Sequence, residues 1–316
     1  MSAGGGIPIL CYHSIDVSGS LISTSPTLFA SHMSYLAASH YQVVSMAEAV
    51  ECCTNGSPLD RRTVVLTFDD GYANNHADAL PVLKRYGFRA TFYIATGFVG
   101  ARASWMMRDL TAMFPGLRKG DDASELVNRC DRAQVGRRIP YLLRLHPTRA
   151  ASEIEALLDA AEFPMMTWAQ LRDLHLAGME IGDHSYSHPF LNEMTDLEVT
   201  SELDKSRVML ESKVGRPVRS LCYPYGAYSQ QVAQVVQHTG YTSACTTELG
   251  LTNLYSSDRY AMRRLLMSDR DSLARFRVLM SGVGRRMLEL KPWVKQMLGP
   301  VRSLAKLRTM RATGAA

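Results

Sequence analysis

Short apolar, β-branched runs recur along the chain, each followed by an amphipathic stretch with its own start and stop signals. The first run is IPILC, residues 7–11, and after it residues 26–39 place Leu28, Phe29, Met33 and Leu36 on one side at helical spacing. Ser45, with Glu48 three residues later, has the form of a capping box and predicts a short helix over SMAEAVECC. TVVLTF, residues 63–68, suits a strand buried on both faces and runs straight into Asp69-Asp70-Gly71. A helix over 74–86 closed by Gly87, then RATFYIAT at 89–96, continues a strand–helix–strand rhythm that predicts a parallel sheet.

Residues 101–163 break that rhythm: they are Arg-rich, read as helical and offer no strand candidate, and we take them as an insertion packed over one end of the fold. The alternation then resumes. A helix over 167–177 is capped by Thr167 and stopped by Gly178, and MEIGDHSYSH is a strand running into a loop. A long helix covers 196–214, VRSLCYPYG is a strand ending in a turn, and a helix over 229–239 stops at Gly240. YTSACT and RYAMRRLLM are the last strand candidates, and there is no internal repeat. Polar motifs stand repeatedly where strands end, as in α/β barrels, whose chemistry collects at the carboxyl ends of the strands. The expected organisation is an α/β chain with one distorted (β/α) barrel over 1–284 and a basic amphipathic tail over 285–316.

Composition narrows the class without changing this picture. At 46% apolar and 21% charged residues the chain is an ordinary globular protein. No apolar run approaches the ~18 residues of a membrane span, and the first ten residues carry no secretory signal, from which a cytoplasmic protein is expected. The six cysteines form no CxxC pair and read as reduced thiols. The net charge of +5 is uneven: residues 285–311 carry +7, so the body is near neutral and a nucleic-acid partner is not expected. In the tail, Leu290, Val294, Met297, Val301 and Leu304 recur at helical spacing among basic residues, interrupted by Pro292 and Pro300. This segment fits either peripheral contact with an anionic inner membrane surface or a helix packed on the barrel.

Candidate chemistry starts at Asp69 and Asp70. Consecutive side chains diverge, so one carboxylate can hold a metal while the other faces a substrate water; a solvated Asp-Gly turn is the plain alternative. His184 and His188 fall on one side if their segment turns helically. Two imidazoles and the Asp70 carboxylate make a three-donor set with open positions, as in catalytic zinc sites and some iron sites. Asp183 stands next to the first histidine, either supporting it or solvated in a loop. His32, His40, His76, His146, His175 and His238 read as surface or packing residues.

LTFDDGY at 66–72, EIGDHSYSHPFL at 180–191 and YPYGAYS at 223–229, in that order, resemble the polysaccharide deacetylase family. This is the NodB-homology domain, or carbohydrate esterase family 4. The resemblance covers roughly residues 7–277 apart from the insertion. It implies a distorted (β/α) barrel that hydrolyses an N-acetyl group from an amino sugar of a polysaccharide, an oligosaccharide or a lipid-linked glycan, in cell-surface glycan biosynthesis. By position, Asp70, His184 and His188 match the metal ligands, Asp69 the general base, and Tyr225 the residue whose backbone N–H stabilises the oxyanion. The implied cofactor is one divalent ion, zinc first, with cobalt, nickel or iron as alternatives.

Two departures stand out. Cys222 occupies the place of the third motif's arginine, which in the family orients the base; Arg263 or Arg264, on a late strand, are the candidates to replace it. The Leu-x-His of the general acid is also missing from RRLLMSDRDSL. His13, in CYHSI, resembles the early Tyr-His motif of the branch containing biofilm poly-N-acetylglucosamine deacetylases, and is our candidate acid. A hydrolase of non-sugar amides or imides, and a non-catalytic glycan-binding protein, are the rival readings.

Overall fold

The computed structural model describes residues 6–18, 22–103, 163–255 and 259–289. The elements are β1 (Ile9–Tyr12), α1 (Pro26–Ala38), β2 (Gln42–Val44), α2 (Met46–Thr54), β3 (Thr63–Phe68), a single π-turn (Asn75–Ala79) leading into α3 (Leu80–Tyr86), and β4 (Thr91–Ile94). They continue with β5 (Arg102–Ala103), β6 (Phe163–Pro164), α4 (Trp168–Leu176), β7 (Glu180–Asp183), α5 (Asp196–Val214), β8 (Ser220–Cys222), α6 (Gln230–His238), β9 (Ser243–Leu249), β10 (Met262–Leu266), α7 (Leu273–Met280) and α8 (Gly282–Glu289).

Seven parallel strands close into a barrel in the order β1-β3-β4-β7-β8-β9-β10 and back to β1, with β2 added along the first half of β3. The strands divide their side chains between two apolar regions. Leu10, Tyr12, Leu66, Phe68, Phe92, Leu221 and Leu265 face the helices, while Ile9, Val65, Tyr93 and Met262 fill the barrel's amino end together with Met46, Ala49 and Val50 of α2. That is the period-2 alternation of a strand buried on both faces.

Local signals explain most boundaries. Ser45 and Glu48 form the expected capping box on α2, and Thr167 with Gln170 and Thr195 with Glu198 do the same for α4 and α5. Gly87 and Gly215 end α3 and α5 in the left-handed conformation. The insertion differs from its reading at its root, where β5 and β6 pair antiparallel; a two-residue ladder has no period to detect. Residues 104–162, the rest of that insertion, lie outside the described residues. So does the tail beyond 289, with its membrane-contact expectation. The boundary expected at 284 falls inside α8, whose Leu288 is buried in the outer core. No helix of the described residues is long and apolar enough to cross a membrane.

Candidate active site

Register brings the motif residues together. β1 and β3 pair Tyr12 with Phe68, so His13 and Asp69 leave the sheet side by side, His13 Nε2 3.8 Å from Asp69 Oδ2. Asp183 of β7 lies across from Leu221 of β8. The next residue, His184, therefore stands beside Cys222, whose carbonyl oxygen lies 2.7 Å from His184 Nδ1. A carbonyl only accepts, so Nδ1 donates there, and in the neutral ring Nε2 holds the lone pair.

That lone pair faces Asp70 and His188. His184 Nε2 is 3.3 Å and His188 Nε2 3.5 Å from Asp70 Oδ1, and the two imidazole nitrogens are 3.3 Å apart. All three side chains are buried. Tetrahedral zinc with bonds of about 2.0–2.1 Å holds its donors about 3.3–3.4 Å apart, so this triangle fits one divalent cation. The electrostatics point the same way. Burial disfavours a charged His184, but Asp70 and Asp69 outweigh it and raise its pKa. Burial also opposes the charge on Asp70, yet bonds and charge from the histidines in their protonated form hold its carboxyl well below the usual range.

Asp69 has a different partner. Arg264 grips it through two parallel bonds, Nη1 to Oδ1 at 2.8 Å and Nη2 to Oδ2 at 2.6 Å. The Cys11 and Cys222 thiols donate to Oδ2 at 3.5 and 3.4 Å. Burial alone would raise the Asp69 pKa; Arg264 more than reverses this and keeps the carboxylate ionised. Of the two arginines proposed from sequence, only Arg264 reaches Asp69. Arg263 points outward and pairs with the exposed Glu248. Alternation along β10 explains the difference: Met262 and Arg264 share the face turned into the barrel, Arg263 and Leu265 the other. Opposite them β9 bulges, advancing from Cys245 to Leu249 as β10 advances from Met262 to Arg264. This bulge turns the Thr246 carbonyl toward Arg264 Nε, at 2.8 Å.

Cys11-His13-Asp69 and Asp69-His184-Cys222 also have ligand spacing. Both use Asp69, whose two oxygens already bond to a buried guanidinium, so a second cation there would face a fixed positive charge. His13 is almost enclosed, and burial lowers its pKa against the pull of Asp70 and Asp69. Its carbonyl accepts from the Asn75 side chain at 2.7 Å, which fastens the His13 loop to the segment following Asp70.

His184 and His188 do not meet through a helical turn, as their spacing suggested. The loop between them uses left-handed backbone at Ser185 (φ 65°) and His188 (φ 58°). Ser185 Oγ accepts from the His188 N–H at 3.0 Å, and Asp183 accepts from the Ser185 N–H at 2.8 Å. Asp183 is fully buried, not solvated. It also accepts from Ser206 of α5 at 2.6 Å and from Tyr241, and burial lifts its pKa to about 6 against these bonds. Ser185, Ser206, Tyr241, Asn75 and Cys11 were not singled out from sequence.

Tyr225 completes the mouth. Its own backbone is left-handed (φ 59°), and its ring packs edge-on against His188 and flat on Phe190 at 4.1 Å. The following Gly226 has φ 68°, and a Cβ there would lie 2.4 Å from the Thr247 nitrogen, so no other residue fits the turn.

A seven-stranded parallel barrel with its polar residues gathered at the carboxyl mouth defines a NodB-type barrel. The profile described as "Polysaccharide deacetylase" matches residues 56–244. The chain belongs to the polysaccharide deacetylase family. It is 25% identical over 262 residues, 83% of this chain and 71% of the other, to Bacillus subtilis (strain 168) YxkH, whose name provisionally assigns it to that family. Over 90 residues, 28% of this chain and 13% of the other, it is 28% identical to the poly-beta-1,6-N-acetyl-D-glucosamine N-deacetylase of Escherichia coli (strain K12). Its fold is similar to the Streptococcus pyogenes deacetylase PplD, at TM-score 0.63 and 20% identity over 87% of this chain and 98% of that one. It is equally similar to IcaB from Ammonifex degensii, at TM-score 0.63 and 19% identity over 88% and 97%.

Proposed function

We propose that this chain is a metal-dependent N-deacetylase acting on an N-acetylated amino sugar within a glycan. One observation carries the reading: Asp70, His184 and His188 present three donor atoms 3.3–3.5 Å apart beside a separate buried carboxylate. A divalent cation bound there, zinc by its preference for this donor set, lowers the pKa of water and polarises the acetamide carbonyl.

The remaining work belongs to the protein. Asp69 takes the proton from the attacking water, using the Oδ1 lone pair that Arg264 leaves unengaged. Arg264 makes Asp69 a poor final holder of that proton. His13, neutral at neutral pH and 3.8 Å away, is the better carrier to the departing amine. The Tyr225 backbone N–H, held by its left-handed turn, serves the oxyanion. The amino-sugar substrate class is supported by the names of the relatives. A non-catalytic protein on a decayed barrel is disfavoured because Arg264 fills the gap left at Cys222 with a bidentate clamp.

Elemental analysis and acetate release from N-acetylglucosamine oligomers test this. The wild type should hold about one equivalent of a divalent metal and release acetate. His184→Ala should lose both, with activity down at least ~10³-fold, about 4 kcal/mol of transition-state stabilisation. Full turnover by metal-free protein would end the proposal.

A further inference from the structure

The connection from β9 to β10, residues 250–261, contains no helix among its described residues. The strand–helix repeat fails there, and among the described residues no helix flanks α6 on that side. A cleft of about 690 Å³ opens in the gap, lined by Tyr228, Gln230, Gln234, Gln237, Glu248 and Tyr260. This volume lies in the ~300–1,000 Å³ range of small-molecule sites.

The lining has a definite chemistry. Gln230, Gln234 and Gln237 are spaced four and three apart, which puts them on one face of α6. All three are exposed, and none of their side-chain amides makes a hydrogen bond among the described residues. Gln231, off that face, instead donates to Asp196 at 2.8 Å. Each amide offers two N–H donors and an acceptor oxygen. The Tyr228 ring is stacked on Tyr223, and the Tyr260 hydroxyl donates to the Tyr241 carbonyl, so both aromatic rings are held in fixed positions. The one carboxylate, Glu248, is balanced by Arg263 at 3.4 Å. Amides and aromatic faces with no net charge suit a neutral, hydroxyl-rich ligand. An apolar partner helix would find little aliphatic surface there, Ala233 and Ala261.

The cleft also shares a wall with the catalytic mouth. Thr247 donates to the Tyr225 carbonyl at 3.0 Å, and the next residue, Glu248, lines the cleft. The Tyr223 hydroxyl, two residues before Tyr225, donates to the Tyr260 carbonyl at 2.9 Å.

We propose that this flank cleft is a second saccharide subsite, which holds residues of a glycan chain remote from the acetyl group being removed. This deepens the proposed function and rests on its substrate class, but not on its chemistry. It is therefore tested by binding alone. N-acetylglucosamine dimers and pentamers, β-1,4 and β-1,6 linked, are titrated into full-length protein whose metal has been removed by chelation. Wild-type protein should bind one of the pentamers about tenfold more tightly than the matching dimer, the gain expected from one or two additional hydrogen bonds. In Gln230→Ala/Gln234→Ala protein that ratio should fall to about one, while Gln231→Ala should leave it intact. Equal affinities for dimer and pentamer in the wild type, or a ratio unmoved in the double variant, would overturn the subsite. Absence of acetate release from wild-type protein that still shows the ratio would count against the catalytic reading alone.

Discussion

At the amino end of the barrel Ile9, Val65, Tyr93 and Met262 form an apolar plug beneath α2. At the carboxyl end of the same strands Asp69, Asp70, Arg264 and two histidines are buried within a few ångströms of one another. The backbone differs as much as the side chains. Of the five non-glycine residues with positive φ among the described residues, Asp70, Ser185, His188 and Tyr225 are all at the mouth. Each such residue costs ~1–3 kcal/mol and persists only where its surroundings over-determine it. The floor thus supplies stability, and the mouth spends some of it to hold charged groups and strained turns in place.

The sharpest way to break this comparison is to attack the clamp between Arg264 and Asp69. Arg264→Met leaves a carboxylate buried without its partner and should destabilise the fold by about 3–5 kcal/mol. Adding Asp69→Asn removes the second charge. The double variant should recover most of that stability, read by urea denaturation, yet release no acetate. If the double variant is no more stable than Arg264→Met, the clamp is a packing element and not a charge pair held for chemistry.

Two buried histidines sharpen the same contrast at intermediate cost. His13 looks into the mouth toward carboxylates. His32, in the shell between α1 and α7, stacks on Phe276 with ring centroids 4.0 Å apart. His32 Nε2 donates to the Asp271 carbonyl at 2.9 Å, so Nδ1 accepts from the Tyr12 hydroxyl, also at 2.9 Å. That arrangement satisfies only the neutral ring. Burial, opposed weakly by the Asp271 carbonyl, lowers the His32 pKa to about 4. The folded pKa lies below the unfolded value of about 6.5, so the neutral ring incurs no penalty above that pH. As pH falls from about 6.5 to 4 the unfolded chain gains a proton that the folded one refuses, and on the order of 3 kcal/mol is lost. His32→Gln protein should lose on the order of 3 kcal/mol of this acid-side dependence, leaving the share that His13, also lowered by burial, contributes. An acid-side slope undiminished by the substitution would place the acid sensitivity elsewhere.

How much of each region was readable from sequence follows from how local its causes are. β3 needed only its own six residues, and α2 only Ser45 and Glu48, so both were legible with their caps. The motif carboxylates and histidines were legible as a set because their residue types are hard to explain by folding. Convergence through a non-helical loop was not, since it depends on Ser185 and His188 adopting backbone that sequence spacing does not reveal. The choice between Arg263 and Arg264 was likewise hidden, because adjacent strand residues face opposite sides and both faces of β10 carry apolar residues, Met262 inside and Leu265 outside, so its own pattern does not mark the inner face. Asp183 was ambiguous for the same reason: its partners, Ser206 and Tyr241, come from elements 23 and 58 residues away.

The smallest test concerns the floor. α2 closes the plug, and the first N–H groups of a helix have no partner within it. Here two strands and the cap residue supply them. The Met46 N–H bonds to Thr91 Oγ1 at 2.8 Å, the Ala47 N–H to Glu180 Oε2 at 2.8 Å, and the Glu48 N–H to Ser45 Oγ at 3.3 Å. Ser45→Ala removes only the last and longest of these. It should cost about 1 kcal/mol, typical of a lost cap, and lower Tm by roughly 2–4 °C. Acetate release per folded molecule should not change, because α2 meets β3, β4 and β7 at the end of the barrel opposite Asp69, Asp70 and the histidines. Were turnover to fall more than the folded fraction does, the plug and the mouth would be mechanically coupled, and the barrel could no longer be read as one end for stability and one for chemistry.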